Sequence, residues 1–280
     1  MESVCFYFRV HQPFPLREYD FSMIGEDHVY EAKDTSLLDQ IADKYYLPNN
    51  KLLLKLIRNN KSNLKIVFSM SGCAVEQFAL HRPDVLVSFQ KLAKTGKIEF
   101  LEETYYHSLS FLYSATEFER QVKKHHDKMK SLFGKKPKTL HTPDTTNIYA
   151  DYEAFAVQCQ GKDLPNVEAL IRHIYEEKQM ITQSIRDTFM TKDGVEWLDN
   201  TMQKEAIRRI YSLEEKVLKS KNENVIDTWG RLQTSDYFYY MSTKTFKEND
   251  LCKKYNPYSS PFDAYINYMN IISDFENTLP

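Results

Sequence analysis

Glycine is scarce in this sequence: 7 of 280 residues, where an average usage of ~7% would give roughly 20. The shortage leans the chain toward helix, and no glycine-rich phosphate loop can be assembled from what remains, which removes nucleotide binding of the common kinds. Cysteine is rarer still. Cys5, Cys73, Cys159 and Cys252 lie far apart with no CxxC pair, which argues against a zinc ribbon or a disulfide framework and fits a reducing compartment. Neither HxxxH nor HExxH occurs among the eight histidines, so no metal site and no cofactor is expected. No stretch approaches eighteen apolar residues, so no membrane span is predicted. The start, MESVCFYFRVHQPF, has an acid at position 2 and too short an apolar run for a signal peptide. The sequence therefore predicts a soluble, cytoplasmic protein. Charge of one sign is also missing. With 37 basic and 39 acidic residues the net charge is -2, which gives no electrostatic case for nucleic acid or an anionic membrane as partner.

Aromatic residues are plentiful, with 19 Tyr, 17 Phe and 2 Trp. Tyrosine offers a flat apolar face and a polar edge, which suits sugar rings but equally suits cores and interfaces. Short β-branched and aromatic runs predict strands at Val4–Val10, Leu64–Met70, Ile98–Leu101 and Lys138–His141. Helices are predicted over about 50–60, from Pro83 or Asp84 toward Gly96, and from a capping-box pattern at Thr116 and Glu119 to Gly134. The second, third and fourth strands start at about 64, 98 and 138, a spacing that fits strand–helix units with right-handed crossovers in a parallel α/β architecture. Beyond the acidic stretch the character changes. Helices are expected over 166–183, 202–219, 229–245 and 261–275, forming a C-terminal helical bundle.

Four polar clusters fall at or beyond predicted strand ends: His11 and Gln12, Glu76 and Gln77, Glu102 to His107, and the stretch holding Asp144 and Asp151. In a parallel α/β fold ligands bind outside the carboxyl ends of the strands, so this convergence is what an active site on such a fold requires. The bland alternative is that Asp144 is a turn residue in Thr-Pro-Asp-Thr and Asp151 a helix cap. The adjacent His125 and His126 are placed mid-helix and expected to be solvated. With a serine nucleophile elbow also absent, what remains is carboxylate chemistry helped by histidine and aromatic groups, of which glycoside hydrolysis is the main reaction class.

The order VCFYFRVHQPF, FSMSGCAVEQF, EFLEETYYHSLSFL, FGKKPKTLHTPD resembles the N-terminal half of glycoside hydrolase family 57. The later runs EWLDNTMQKEAIRRIYSLEEKVL, WGRLQTSDYFYYMSTK and YNPYSSPFDAYINYMNIISDF are similar to the helical domain of its α-amylase-like members. The resemblance covers about residues 1–144 and 148–275. It implies an incomplete (β/α)7-type parallel barrel over 1–190 followed by a helical domain over 191–280. It also implies action on α-1,4-glucan or a maltooligosaccharide with retention of configuration, through two carboxyl groups ~5–5.5 Å apart. On that pattern Asp144 takes the place of the nucleophile and Asp151, in IYADYEAF, that of the acid/base. His11, Gln12, Glu76, His107 and Asp236 are then substrate-binding residues.

Two departures from the family pattern bear on activity. Asp144 stands where the family has a Glu, one methylene longer. Only Thr145, Thr146 and Asn147 separate the two motifs, where the family has further strands and helices. A second alignment reads 142–164 as the ordinary fourth-strand segment and leaves Asp151 without a role. Three functions follow from these choices: a retaining α-glucan-acting enzyme, a non-catalytic α-glucan-binding or regulatory relative, or a shortened copy with no function of its own. Missing strands would leave sheet edge exposed, which predicts a homo-oligomer or a capping partner.

Overall fold

The computed structural model describes residues 6–59, 65–134, 137, 150–151, 198–248 and 256–280. The expected strand at 138–141, the helix at 166–183 and Asp144 lie outside these residues. The chain divides into two compact units: Met1–Gln12, Thr35–Tyr105 and Gln121–Met190 form the first, and Pro13–Asp34, Tyr106–Arg120 and Thr191–Pro280 the second.

The first unit is built on a parallel sheet of four strands, β1 (Phe6–Val10), β2 (Ile66–Met70), β3 (Ile98–Leu101) and the two-residue β4 (Ala150–Asp151), in the order β3-β2-β1-β4. Register aligns Phe8 with Phe68 and Phe68 with Phe100, so one row of phenylalanines crosses the sheet. Neighbouring ring centroids in that row lie 5.7 and 6.2 Å apart, distances at which aromatic pairs add to area burial. Helices α1 (Ser36–Ile41), α2 (Leu47–Asn59), α3 (Gly72–His81) and α4 (Pro83–Ala93), with the π-helical turn Ala42–Tyr46 between the first two, supply most of the rest of this core. Phe89 meets Phe68 edge-on at 5.4 Å, and Tyr46 meets Phe78 at 5.1 Å.

Helix α3 is an addition to the sequence reading, which starts the helix at Pro83. Its first turn is Gly-Cys-Ala-Val, small residues with no apolar stripe wide enough to declare a face, and its N-terminus is set by the Ser71 hydroxyl, which accepts from the Ala74 amide at 3.2 Å. A second correction concerns α5 (Ala115–Phe133). Thr116 lies inside this helix, and its N-cap is Ser114, whose hydroxyl accepts from the Glu117 amide at 3.1 Å. Along α5, Glu117, Gln121 and His125 recur every fourth residue, and all three are buried. A polar stripe therefore runs where an amphipathic helix ordinarily carries aliphatic residues.

The second unit is helical: α6 (Thr201–Ser212), α7 (Glu214–Ser220), α8 (Glu223–Leu232), α9 (Ser235–Tyr239), α10 (Thr243–Glu248) and α11 (Pro261–Asn277). The expected helix over 202–219 is thus two, broken at Leu213, and that over 229–245 is three short pieces. Its core is knit by buried donors reaching main-chain carbonyls. Trp229 Nε1 donates to Ile210 O at 2.8 Å, Tyr268 Oη to Leu232 O at 2.6 Å, and Tyr237 Oη to Phe14 O at 2.6 Å. Residues 13–34, closed on themselves by an antiparallel bridge from Leu16 to Glu31, belong here through α11. The Tyr19 amide donates to Asn267 Oδ1 at 2.6 Å, and the Gly25 amide to Asp274 Oδ1 at 2.6 Å. No described helix is long and apolar enough to cross a membrane.

Candidate functional site

Strands β1, β2 and β3 run in one direction, so the residues that follow them gather at one edge of the sheet, and there the polar groups of the first unit meet. His11, next after β1, has its Nδ1 2.6 Å from the Ser71 hydroxyl that follows β2. That hydroxyl also accepts from the Ala74 amide at 3.2 Å, so it joins His11 to the start of α3. Gln12 is buried. Its side-chain Nε2 donates to Tyr46 Oη at 3.0 Å, and its main-chain carbonyl accepts from Gln77 Nε2 at 3.4 Å. Glu76, one turn into α3, accepts from Tyr105 Oη at 2.5 Å, and Lys124 of α5 lies over the Tyr105 ring at 4.3 Å from its centroid. The Tyr105 ring packs directly on Gly72, where a Cβ would come within 2.5 Å of it.

Beyond β3 two carboxylates follow in succession. Glu102 is paired with His126 of α5. Glu103 is 3% exposed, and a carboxylate so deeply enclosed is uncommon unless it is paired. The sequence placed it in a cluster without singling it out. Neighbouring His125 is fully enclosed: Nε2 lies 2.8 Å from Met70 O, and the Glu103 amide points at Nδ1 from 3.5 Å. The expectation of two solvated histidines is therefore wrong for His125. Burial pushes its imidazole pKa down, against the pull of Glu103 and Glu102.

Asp151 belongs to β4, which pairs parallel with β1, Arg9 opposite Asp151. His11, Gln12, Glu76 and the Asp151 backbone thus share the first unit. His107 and Asp236 belong to the second and are brought together there. His107 adopts φ +54°, a left-handed conformation that non-glycine residues enter at a cost of ~1 kcal/mol or more. Its carbonyl accepts from the Ser235 amide at 3.1 Å, and an antiparallel bridge joins Ser108 to Thr234. Asp236 is the second residue of α9, one step on. In the same unit Tyr106 Oη donates to Asp227 Oδ1 at 2.6 Å, and the buried Glu117 carboxylate accepts a forked pair of bonds from Arg120 at 2.6 and 2.8 Å and one from Gln233 at 3.0 Å. Among the described residues no group of three His, Cys, Asp or Glu side chains is arranged to hold a metal ion.

A model of glycosyl hydrolase family 57 matches residues 5–150 of the chain, the span that holds β1 to β3 and α5. A putative α-amylase of Methanocaldococcus jannaschii is 22% identical over an alignment covering 98% of this chain and 84% of that protein. That alignment is 395 residues long, longer than the chain itself, so the archaeal protein carries segments within it that have no counterpart here. Among solved structures, a 4-α-glucanotransferase of Thermococcus litoralis matches 50% of this chain at 18% identity and a TM-score of 0.37, and the chain spans 20% of its length. The family match takes in more than half of the 280 residues, and the chain belongs to glycosyl hydrolase family 57.

Proposed function

We propose that the protein acts on α-1,4-glucan by a retaining, two-carboxylate mechanism, on a shortened (β/α)7-type barrel over 1–190 with a helical bundle over 191–280. The observation that carries this reading is the cluster over the carboxyl ends of β1 to β3. His11 on Ser71, Gln12 on Tyr46 and Gln77, and Glu76 on Tyr105 form the kind of cross-braced polar surface that fixes sugar hydroxyls. Asp151 is the proposed acid/base. The pairing of its strand with β1 rather than β3 supports reading it as the closing strand of a barrel, not the ordinary fourth one. Asp144 is the nucleophile by the sequence pattern. A second reading gives that place to Glu103, favoured by its burial at the end of β3. In either case the second carboxyl must come within ~5–5.5 Å of Asp151 for retention.

In this mechanism the nucleophilic carboxylate attacks the anomeric carbon while Asp151, protonated, donates to the departing glycosidic oxygen. Water then displaces the carboxylate from the glycosyl-enzyme with Asp151 acting as base. By the family pattern, His11, Gln12 and Glu76 of the first unit, and His107 and Asp236 of the second, are each proposed to hydrogen-bond the sugar.

The non-catalytic glucan-binding alternative is favoured by one observation, the segments of the archaeal relative that this chain lacks. Calorimetric titration of maltoheptaose into wild type, Asp151→Asn, Asp144→Asn and Glu103→Gln, with a reducing-end assay on the same samples, separates these readings. Turnover lost by ~10²-fold or more in Asp151→Asn, and in one of the other two variants, supports the enzyme and names its nucleophile. Binding without turnover in every sample supports the glucan-binding protein. If neither appears in wild type, the glucan reading is abandoned.

A further inference from the structure

We infer that His125 is a positioning residue, held as its Nε2–H tautomer across the ends of β2 and β3, where it fixes the main chain that presents Glu103. The inference concerns a buried histidine on α5 that the proposed chemistry does not itself use. It rests on the reading of the strand ends as the glucan site only for its effect on turnover.

The geometry leaves the ring one arrangement. Met70 O can only accept, so the nitrogen 2.8 Å from it, Nε2, carries the hydrogen. A neutral ring then has an acceptor at Nδ1, which is where the Glu103 amide points, at 3.5 Å. A protonated ring would set a second N–H against that amide and would place a charge in a fully enclosed site, so both contacts favour the neutral form. The two groups it holds lie past the end of the β2–β3 ladder, whose last pair is Ser69 with Leu101. Without the ring, this carbonyl and this amide would lack these partners where the chain leaves the sheet. The charged and titratable groups that bear on the ring are Glu103 and Glu102 from the end of β3 and His126 on its own helix.

The helix supplies a reason for a polar residue at this depth. Glu117, Gln121 and His125 recur every fourth residue along α5, all buried, and His125 reaches both Met70 O at the end of β2 and the Glu103 amide just past β3. The main-chain amide it engages is that of Glu103, so the direction in which the Glu103 side chain leaves the backbone is tied to the imidazole.

Long-range proton–nitrogen correlation on histidine-labelled protein tests the first half directly. One ring, assigned by its absence in His125→Asn, is expected to show the Nε2–H pattern unchanged from pH 5 to pH 8. An Nδ1–H pattern, or titration of that ring inside the interval, overturns the inference. Amide exchange tests the second half. The Glu103 amide is expected to exchange about ten-fold faster in His125→Leu and to be protected again in His125→Asn, whose carboxamide oxygen takes the place of Nδ1. Unchanged exchange in folded His125→Leu overturns it.

With maltoheptaose, kcat is expected to fall about ten-fold or more in His125→Leu with KM within about two-fold, and to recover in His125→Asn. A fall that Asn does not relieve marks His125 as merely structural. If wild type gives the expected spectrum and exchange but no turnover, the glucan reading fails and the clamp stands.

Discussion

Gly72 and Tyr105 are in such close contact that a Cβ on the glycine would lie 2.5 Å from three atoms of the tyrosine ring. The ring is fixed on its other sides too, by Lys124 over its face and by Glu76, which its hydroxyl reaches. Gly72→Ala must therefore either push the ring away or shift the start of α3, at a cost typical of overpacking, about 1–3 kcal/mol. The expected result is a lower denaturation midpoint together with loss of the bond between Tyr105 and Glu76. Tyr105→Phe is the control, since it removes that bond and keeps the ring on the glycine. If Gly72→Ala matches wild type in urea melts, the close packing is not as described.

Asp274 carries a pH dependence whose sign follows from its surroundings. Burial raises its carboxyl pKa, but bonds from His28 and the Gly25 amide, with Tyr30 and Tyr19, outweigh burial and hold it below the ordinary carboxylate range. In the unfolded chain the same group titrates near ~3.9. Its stabilisation is thus fully present above that value and is lost as pH falls through the lower folded value. Asp274→Asn is expected to cost about 2–3 kcal/mol at neutral pH and to flatten the acid limb of the stability profile. Urea midpoints measured from pH 6 to pH 2.5 in both proteins check this. Parallel acid limbs would remove Asp274 from the account.

The start of α5 offers a discriminating pair of substitutions. Ser114 accepts from the Glu117 amide and donates to Glu214 Oε1 at 2.7 Å, whereas Thr116 sits within the first turn. Ser114→Ala is expected to cost about 1 kcal/mol or somewhat more, and Thr116→Ala less than about 0.5 kcal/mol. Equal costs in chemical denaturation would restore Thr116 as the cap.

Strands were the legible part of this fold. β1, β2 and β3 lie within two residues of where their β-branched and aromatic runs put them, because a short apolar run bounded by polar residues has few other solutions in a parallel sheet. Helix boundaries were harder to read for local reasons. Ser-Ala-Thr-Glu and Thr-Glu-Phe-Glu, two residues apart, both carry the capping pattern, and the sequence does not say which hydroxyl will find its amide. The breaks at Leu213 and Gln233 have tertiary partners. Leu213 turns into the core, and the chain after Gln233 is drawn to the carbonyl of His107.

For the site, sequence placed His11, Gln12 and Glu76 beyond strand ends, and the structure gives each a partner from another element. His125 was misjudged because the pair was given one environment, although adjacent residues on a helix point ~100° apart and one can be buried while the other is not. Which one is decided by a carbonyl at the end of β2, and no local pattern encodes that. Glu103 was hidden in a row of acids until its burial set it apart from Glu102.

The attachment of residues 13–34 to α11 has a consequence for how the chain is made. The Tyr19 amide waits for Asn267, 248 positions later, and the Gly25 amide for Asp274, 249 positions later. Closing loops of that length is slow relative to the local pairing of β1 with β2. The stretch around Tyr19 and Gly25 must therefore stay without these α11 partners until synthesis has passed residue 274. A truncation inside α11 would make that interval permanent.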